Sequence, residues 1–139
     1  MVRALLVGFL ILTIWSGIDY VLHFSILAPF YSANPNLWRP LSEMNVGLIF
    51  FVRVALIFAF MATYHWFVDP KSVRSGMLFG ALVGAQLGVG VGVGTYIHID
   101  VPAALALGWV LGAVVKSAIA GIVVGGLLRP NPSLPARRP

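Results

Sequence analysis

Asp19 and His23 stand four residues apart inside an apolar run that extends from Ala4 to Leu27. Residues at i and i+4 share a helix face, so both side chains project the same way, with His23 about 6 Å further along the axis. Two kinds of chemistry suit such a pair. A carboxylate can orient the imidazole and also hold a cation from another helix, which makes a polar network that locks helices together. Imidazole and carboxylate are also ordinary ligands for zinc, copper, nickel or iron, and Asp19, His23, His98 and Asp100, with Glu43 nearby, form a candidate metal layer. Only the Asp19/His23 spacing ties two of these to one face, and no established metal motif is matched. The network is therefore the leading expectation, and no cofactor is expected beyond a divalent metal as a minor alternative.

Catalytic readings fail on geometry. Ser16 shares the face of Asp19 and His23, but it lies about 10 Å along the axis from His23, which is too far for base activation. His65 falls near the inner end of the second apolar run and His23 near the outer end of the first, so the two cannot ligate one haem. The chain contains no cysteine, which removes disulfides, thiolate metal sites and thiol nucleophiles. The sequence contains no recognisable enzyme constellation.

Arg53, Gln86 and Lys116 also fall inside apolar runs. A central Asp, Lys or Arg costs about 2.5–3.5 kcal/mol on membrane-insertion scales, so such groups should face protein or water and find partners. Counted at 1.5 Å per residue, Asp19 lies about 12 Å and Arg53 about 10 Å from the same membrane surface, which predicts an Asp19–Arg53 pair. Its simplest role is a clamp between two helices. Lys116, about 20 Å from that surface, has no evident acidic partner, and Gln86 sits nearer the middle. The expected intramembrane network comprises Asp19, His23, Arg53, Gln86 and Lys116.

The elements that must position these residues follow from hydropathy. Of 139 residues, 60% are hydrophobic and 9% are charged, a composition far outside the usual soluble range. A bilayer core about 30 Å thick needs roughly 20 apolar residues in a helix. Four runs qualify, at 4–27, 46–68, 75–97 and 103–128. The fold class is accordingly an all-α integral membrane protein, a four-transmembrane-helix bundle within 1–128. A Pro- and Asn-bearing outer loop covers 28–45, and a Pro/Arg-rich tail covers 129–139. The start has the charged-then-apolar order of a signal peptide, but no small-x-small cleavage site follows, so it reads as a retained first span.

Short connections predict antiparallel neighbours, up-down-up-down. With both termini cytoplasmic, Arg3, Lys71, Arg74, Arg129, Arg137 and Arg138 face inward and only Arg39 faces outward, with Glu43 and Asp100. The expected location is a bacterial inner (cytoplasmic) membrane. Tyr31, Trp38 and Tyr96 should mark the outer interface, and Tyr64 and Trp66 the inner one. The formal charge of +5 comes from basic residues at the ends of apolar runs. It suits acidic lipid headgroups and not nucleic acid.

Glycine separates the two halves. The third run carries Gly76, Gly80, Gly84, Gly88 and Gly92, and the fourth carries Gly108, Gly112, Gly121 and Gly125. Small residues at this spacing let helix backbones approach closely in lipid, so runs three and four should form a tight pair or a subunit interface. Gly88–Thr95 is a weak match to a channel filter or a dinucleotide-binding glycine motif and is better read as a kinked or unwound helix end. Three function classes follow, in order. The first is an interaction or accessory subunit, or a homo-oligomer, packed through helices 3 and 4. The second is a homo-oligomeric transporter or channel for a small anion or proton-coupled solute, using Lys116, Arg53 and Gln86. The third is a membrane metalloprotein.

Overall fold

The computed structural model describes residues 2–128. Every regular element among them is helical. Helix α1 (Val2–Val21) runs on through a π-helical turn at Leu22–Ile26 and is followed by α2 (Ala28–Ser32). After two short 3-10 turns come α3 (Val46–Phe67) and then α4 (Val73–Gly88), which passes through a second π-helical turn at Val89–Val93 into α5 (Gly94–His98). The last helix is α6 (Ala103–Leu127). Four helical stretches, Val2–Ile26, Val46–Phe67, Val73–His98 and Ala103–Leu127, are long and apolar enough to cross a membrane, which marks the chain as a helical membrane protein. The tail expected at 129–139, with Arg129, Arg137 and Arg138, lies outside the described residues.

The starts of α3 and α4 are set by polar caps that satisfy orphan N–H groups. The Asn45 side chain accepts from the Leu48 N–H at 2.9 Å and opens α3. Ser72 and Ser75 cap α4 reciprocally, each hydroxyl accepting from the other residue's N–H at 3.0 and 2.9 Å. The glycine-alternating run does not unwind. Gly88 to Gly94 stay helical, with the turn widened at Val89–Val93.

The closest packing joins α4 to α6. Gly76 faces Gly121, Gly80 faces Ser117, Gly84 faces Ala113, Gly88 faces Val110 and Gly92 faces Ala106, so these two helices run in opposite directions. A methyl group on Gly80 would overlap the Ser117 carbonyl, and one on Gly84 the Ala113 carbonyl. Gly121 and Gly125 meet backbone at Gly76 and Ser72 in the same way. Gly108 and Gly112 depart from the expectation that all these glycines serve the α4–α6 contact. They face the Leu27 and Leu22 side chains of the first span, so α6 carries one glycine patch for each neighbour.

On its other side α6 helps to build a core in which Val7, Ile11 and Trp15 of α1 meet Ile57, Phe60 and Tyr64 of α3 and Ala120 and Val124 of α6. Tyr64 was expected at the membrane surface beside Trp66, but the two differ: Trp66 is exposed, whereas Tyr64 is fully buried against Phe79. The Tyr64 hydroxyl has no hydrogen-bond partner among the described residues. A buried unsatisfied hydroxyl costs about 1–3 kcal/mol. Tyr64→Phe should therefore raise the melting temperature of the purified protein, and a clear drop in a thermal melt would contradict this placement.

Candidate functional site: a carboxylate held between two cations

Helix α1 presents Trp15, Ser16 and Asp19 toward α3 and α6. Arg53 reaches from α3 with its guanidinium forked between two acceptors: Nη2 donates to Asp19 Oδ2 at 2.8 Å and Nη1 donates to Ser16 Oγ at 2.8 Å. Lys116 reaches from α6, and its Nζ donates to Asp19 Oδ1, also at 2.8 Å. The ammonium lies 5.5 Å from the Trp15 ring centroid, within range of a cation–π attraction. The Trp15 indole N–H in turn donates to the Lys116 carbonyl at 2.9 Å. One carboxylate thus binds three spans together.

The Asp19–Arg53 pair has the partners predicted from depth. The expectation that Lys116 lacks an acidic partner is corrected, because Asp19 holds both cations. Depth counted from helix ends misled here, since the first and last spans do not end level. Gly108 meets Leu27 and Gly112 meets Leu22, so the first five residues of α6, Ala103–Leu107, rise beyond the end of the first span. That offset, about 7 Å at 1.5 Å per residue, brings Lys116 to within roughly a turn of Asp19. Side chains also lean toward the N-terminus of their helix, which tilts Lys116 toward Asp19. Ser16, rejected as a nucleophile, serves as the second acceptor for Arg53.

His23 does not bond to Asp19. Its Nδ1 lies 2.6 Å from the Tyr31 hydroxyl, which also accepts from the Trp109 indole N–H at 2.7 Å. The π-helical turn begins at Leu22 and redirects the chain here, and both Asp19 oxygens are already engaged. Tyr31, Trp38 and Trp109 stack edge and face around this bond, with ring centroids 5.1–6.5 Å apart. Tyr31 and Trp38 therefore form a packed aromatic cluster at the end of the first span and not a simple surface belt. Trp109 was missed in the sequence, although an indole N–H inside an apolar run needs an acceptor and is a usable signal.

Burial raises the Tyr31 phenol above its ordinary 10.0, and the hydrogen bond from Trp109 opposes this in part. A group with a raised folded pKa contributes stability that is complete below pH 10.0 and lost as pH rises through the folded value. Tyr31→Phe should remove that alkaline loss. It should also cost about 1–3 kcal/mol at neutral pH, because His23 and Trp109 lose their shared partner. Stability curves of both proteins from pH 8 to about pH 12 test the point; parallel curves would refute it.

The remaining predicted residues lie apart. Gln86 is exposed and makes no hydrogen bond among the described residues, so it is not part of the network. Its neighbours Gly84 and Gly88 both face α6, and two residues along a helix is a rotation of about 200°, which points Gln86 away. The candidate metal layer is not assembled. The His98 imidazole bonds the Gly94 carbonyl at 2.7 Å, Asp100 and Glu43 are exposed, and Asp19 is held by the two cations. Among the described residues no three His, Asp or Glu side chains stand close enough to share an ion.

Beside the charged cluster a cavity of about 530 Å³ opens between the first and last spans. Glycines and aliphatic residues line it, including Gly17, Ile18, Val21, Gly112 and Val115, with no polar side chain among them. The arrangement is thus an ion cluster of one carboxylate and two cations next to an apolar groove. No family model matches the chain, and neither the curated proteins nor the solved structures contain a match to it.

Proposed function

We propose that the protein is an assembly subunit of the membrane. It is an up-down-up-down four-helix bundle with both termini in the cytoplasm, resident in a bacterial inner membrane, and it docks through its uncovered helix faces onto other membrane-embedded helices or further copies of itself. The observation that supports this reading is the closed bonding of Asp19, whose two oxygens are both held by cations from other spans. A cluster used in this way ties the bundle together, and the groove beside it offers no polar lining for a solute. The mass of the complex after gentle extraction tests the proposal. Assemblies larger than one chain are expected, and a strictly monomeric protein with nothing copurifying would overturn it.

Transport of a small anion is the second reading, and one observation favours it. The cluster carries two cations for one carboxylate, and the Arg53 and Lys116 side chains remain 25% and 24% exposed. An uncompensated positive charge inside a membrane attracts anions. Gln86 drops out of this pathway because it points away from α6. Anion flux into proteoliposomes that falls in Lys116→Met would favour transport; equal flux in the two proteins would remove it.

A further inference from the structure

Three polar side chains lie exposed well inside the spans. Thr13 and Thr63 donate to the carbonyls of Phe9 and Ala59 one turn back, at 3.0 and 2.8 Å, and so satisfy their hydroxyls within their own helices. Gln86 has no such outlet. Its primary amide carries two donors and an acceptor and bonds nothing among the described residues. The span runs from Val73 to His98, so Gln86 sits at its centre, about 18–20 Å from either end. That distance is several times the reach of a glutamine side chain, so the amide cannot bend to the water. In hydrocarbon it must find another amide, hydroxyl or carbonyl, because an unmet polar group there is costly.

The face around Gln86 has the shape of a helix-docking seam. Leu82, Val89, Val93 and Ile97 are exposed at 72%, 52%, 38% and 70%, with spacings near the three-and-four repeat of packed helices. At its middle, Gly90 has nothing within 4 Å of where a Cβ would stand, so a second backbone can approach there. We infer that this face of the third span binds the same face of a second copy, with Gln86 pairing to Gln86 across a two-fold axis along the membrane normal. Complementarity selects this occupant. Two copies inserted in the same orientation hold Gln86 at the same depth, and a primary amide is its own complement, donating and accepting at once. The α4–α6 contact uses the opposite side of the helix, so pairing leaves each bundle intact.

This inference rests on the assembly reading above and adds the face and the partner to it. The chain has no cysteine, so a single introduced one reports its own neighbours. In native membranes, Leu82→Cys, Val89→Cys and Val93→Cys should each cross-link into dimers, whereas Phe58→Cys, exposed on α3, should not. In lipid nanodiscs or vesicles diluted with lipid, energy transfer between labelled copies of the full chain should show Gln86→Leu associating about 10-fold more weakly than wild type. Gly90→Leu should weaken association further while the monomer melts as before. Seam cysteines that cross-link no better than Phe58→Cys would overturn the inference, as would a Gln86→Leu protein that dimerises like wild type. Assemblies that form through another face would leave the assembly reading standing and remove only this seam. A chain that stays monomeric with no copurifying protein would remove both.

Discussion

Asp19→Asn should lower the stability of the bundle by about 3–5 kcal/mol, more than any other single change to a charged residue of the site. The substitution keeps the size and shape of the side chain but removes the anion that, among the described residues, holds both Arg53 and Lys116. Two cations are then left facing each other in a medium that solvates neither, and each must move, lose its proton or draw in water. Lys116→Met has the opposite character. It leaves a neutral Asp19–Arg53 pair with the Ser16 bond intact, so its cost should be small. Replacing all three charges, as Asp19→Leu with Arg53→Leu and Lys116→Met, should return stability to wild type or above, because apolar groups of similar volume need no desolvation. Unfolding of the four proteins in mixed detergent micelles measures the series. An Asp19→Asn protein as stable as wild type would show that the cations do not depend on the carboxylate. A triple variant far below wild type would show that the cluster contributes more than a clamp.

The same cluster shows what a sequence can and cannot reveal. Hydropathy and length are local quantities, so the four spans are legible without coordinates. The Asp19–Arg53 pair is legible for a similar reason, since both residues lie at comparable depth on consecutive spans. Lys116 is not, because its level depends on how far α6 slides along the first span. That offset is set by Leu22 and Leu27 seating against Gly112 and Gly108, a contact between residues more than eighty positions apart. His23 escaped for a different reason. Four-residue spacing places it near Asp19, but a π-helical turn and a tyrosine eight residues on compete for the imidazole, and neither is encoded in helix periodicity. Tyr64 shows the limit of interface rules, which register an amphipathic ring near a span end without knowing whether another helix covers it.

Glycine substitutions should sort by what each glycine faces, and this is a ranking that four-residue spacing alone does not give. Gly76, Gly80, Gly84, Gly121 and Gly125 all face backbone across the α4–α6 contact. Backbone cannot rotate away as a side chain can, so Gly80→Ala must push the helices apart, at about 1–3 kcal/mol for one methyl. Gly80→Leu should prevent the native pairing altogether. Gly80→Ala combined with Gly84→Ala should cost less than the sum of the two, since one displacement relieves both clashes. Gly108 and Gly112 face the ends of leucine side chains, which can shift, so alanine there should be cheaper. Gly17 and Gly94 face open space, and alanine at either should stabilise its helix by up to about 1 kcal/mol. The sign therefore reverses along one residue type, from loss at Gly80 to gain at Gly17. Thermal melts of the alanine variants decide the matter: a uniform response would mean that the α4–α6 backbones do not touch at these positions, because helix propensity alone would move every glycine in the same direction.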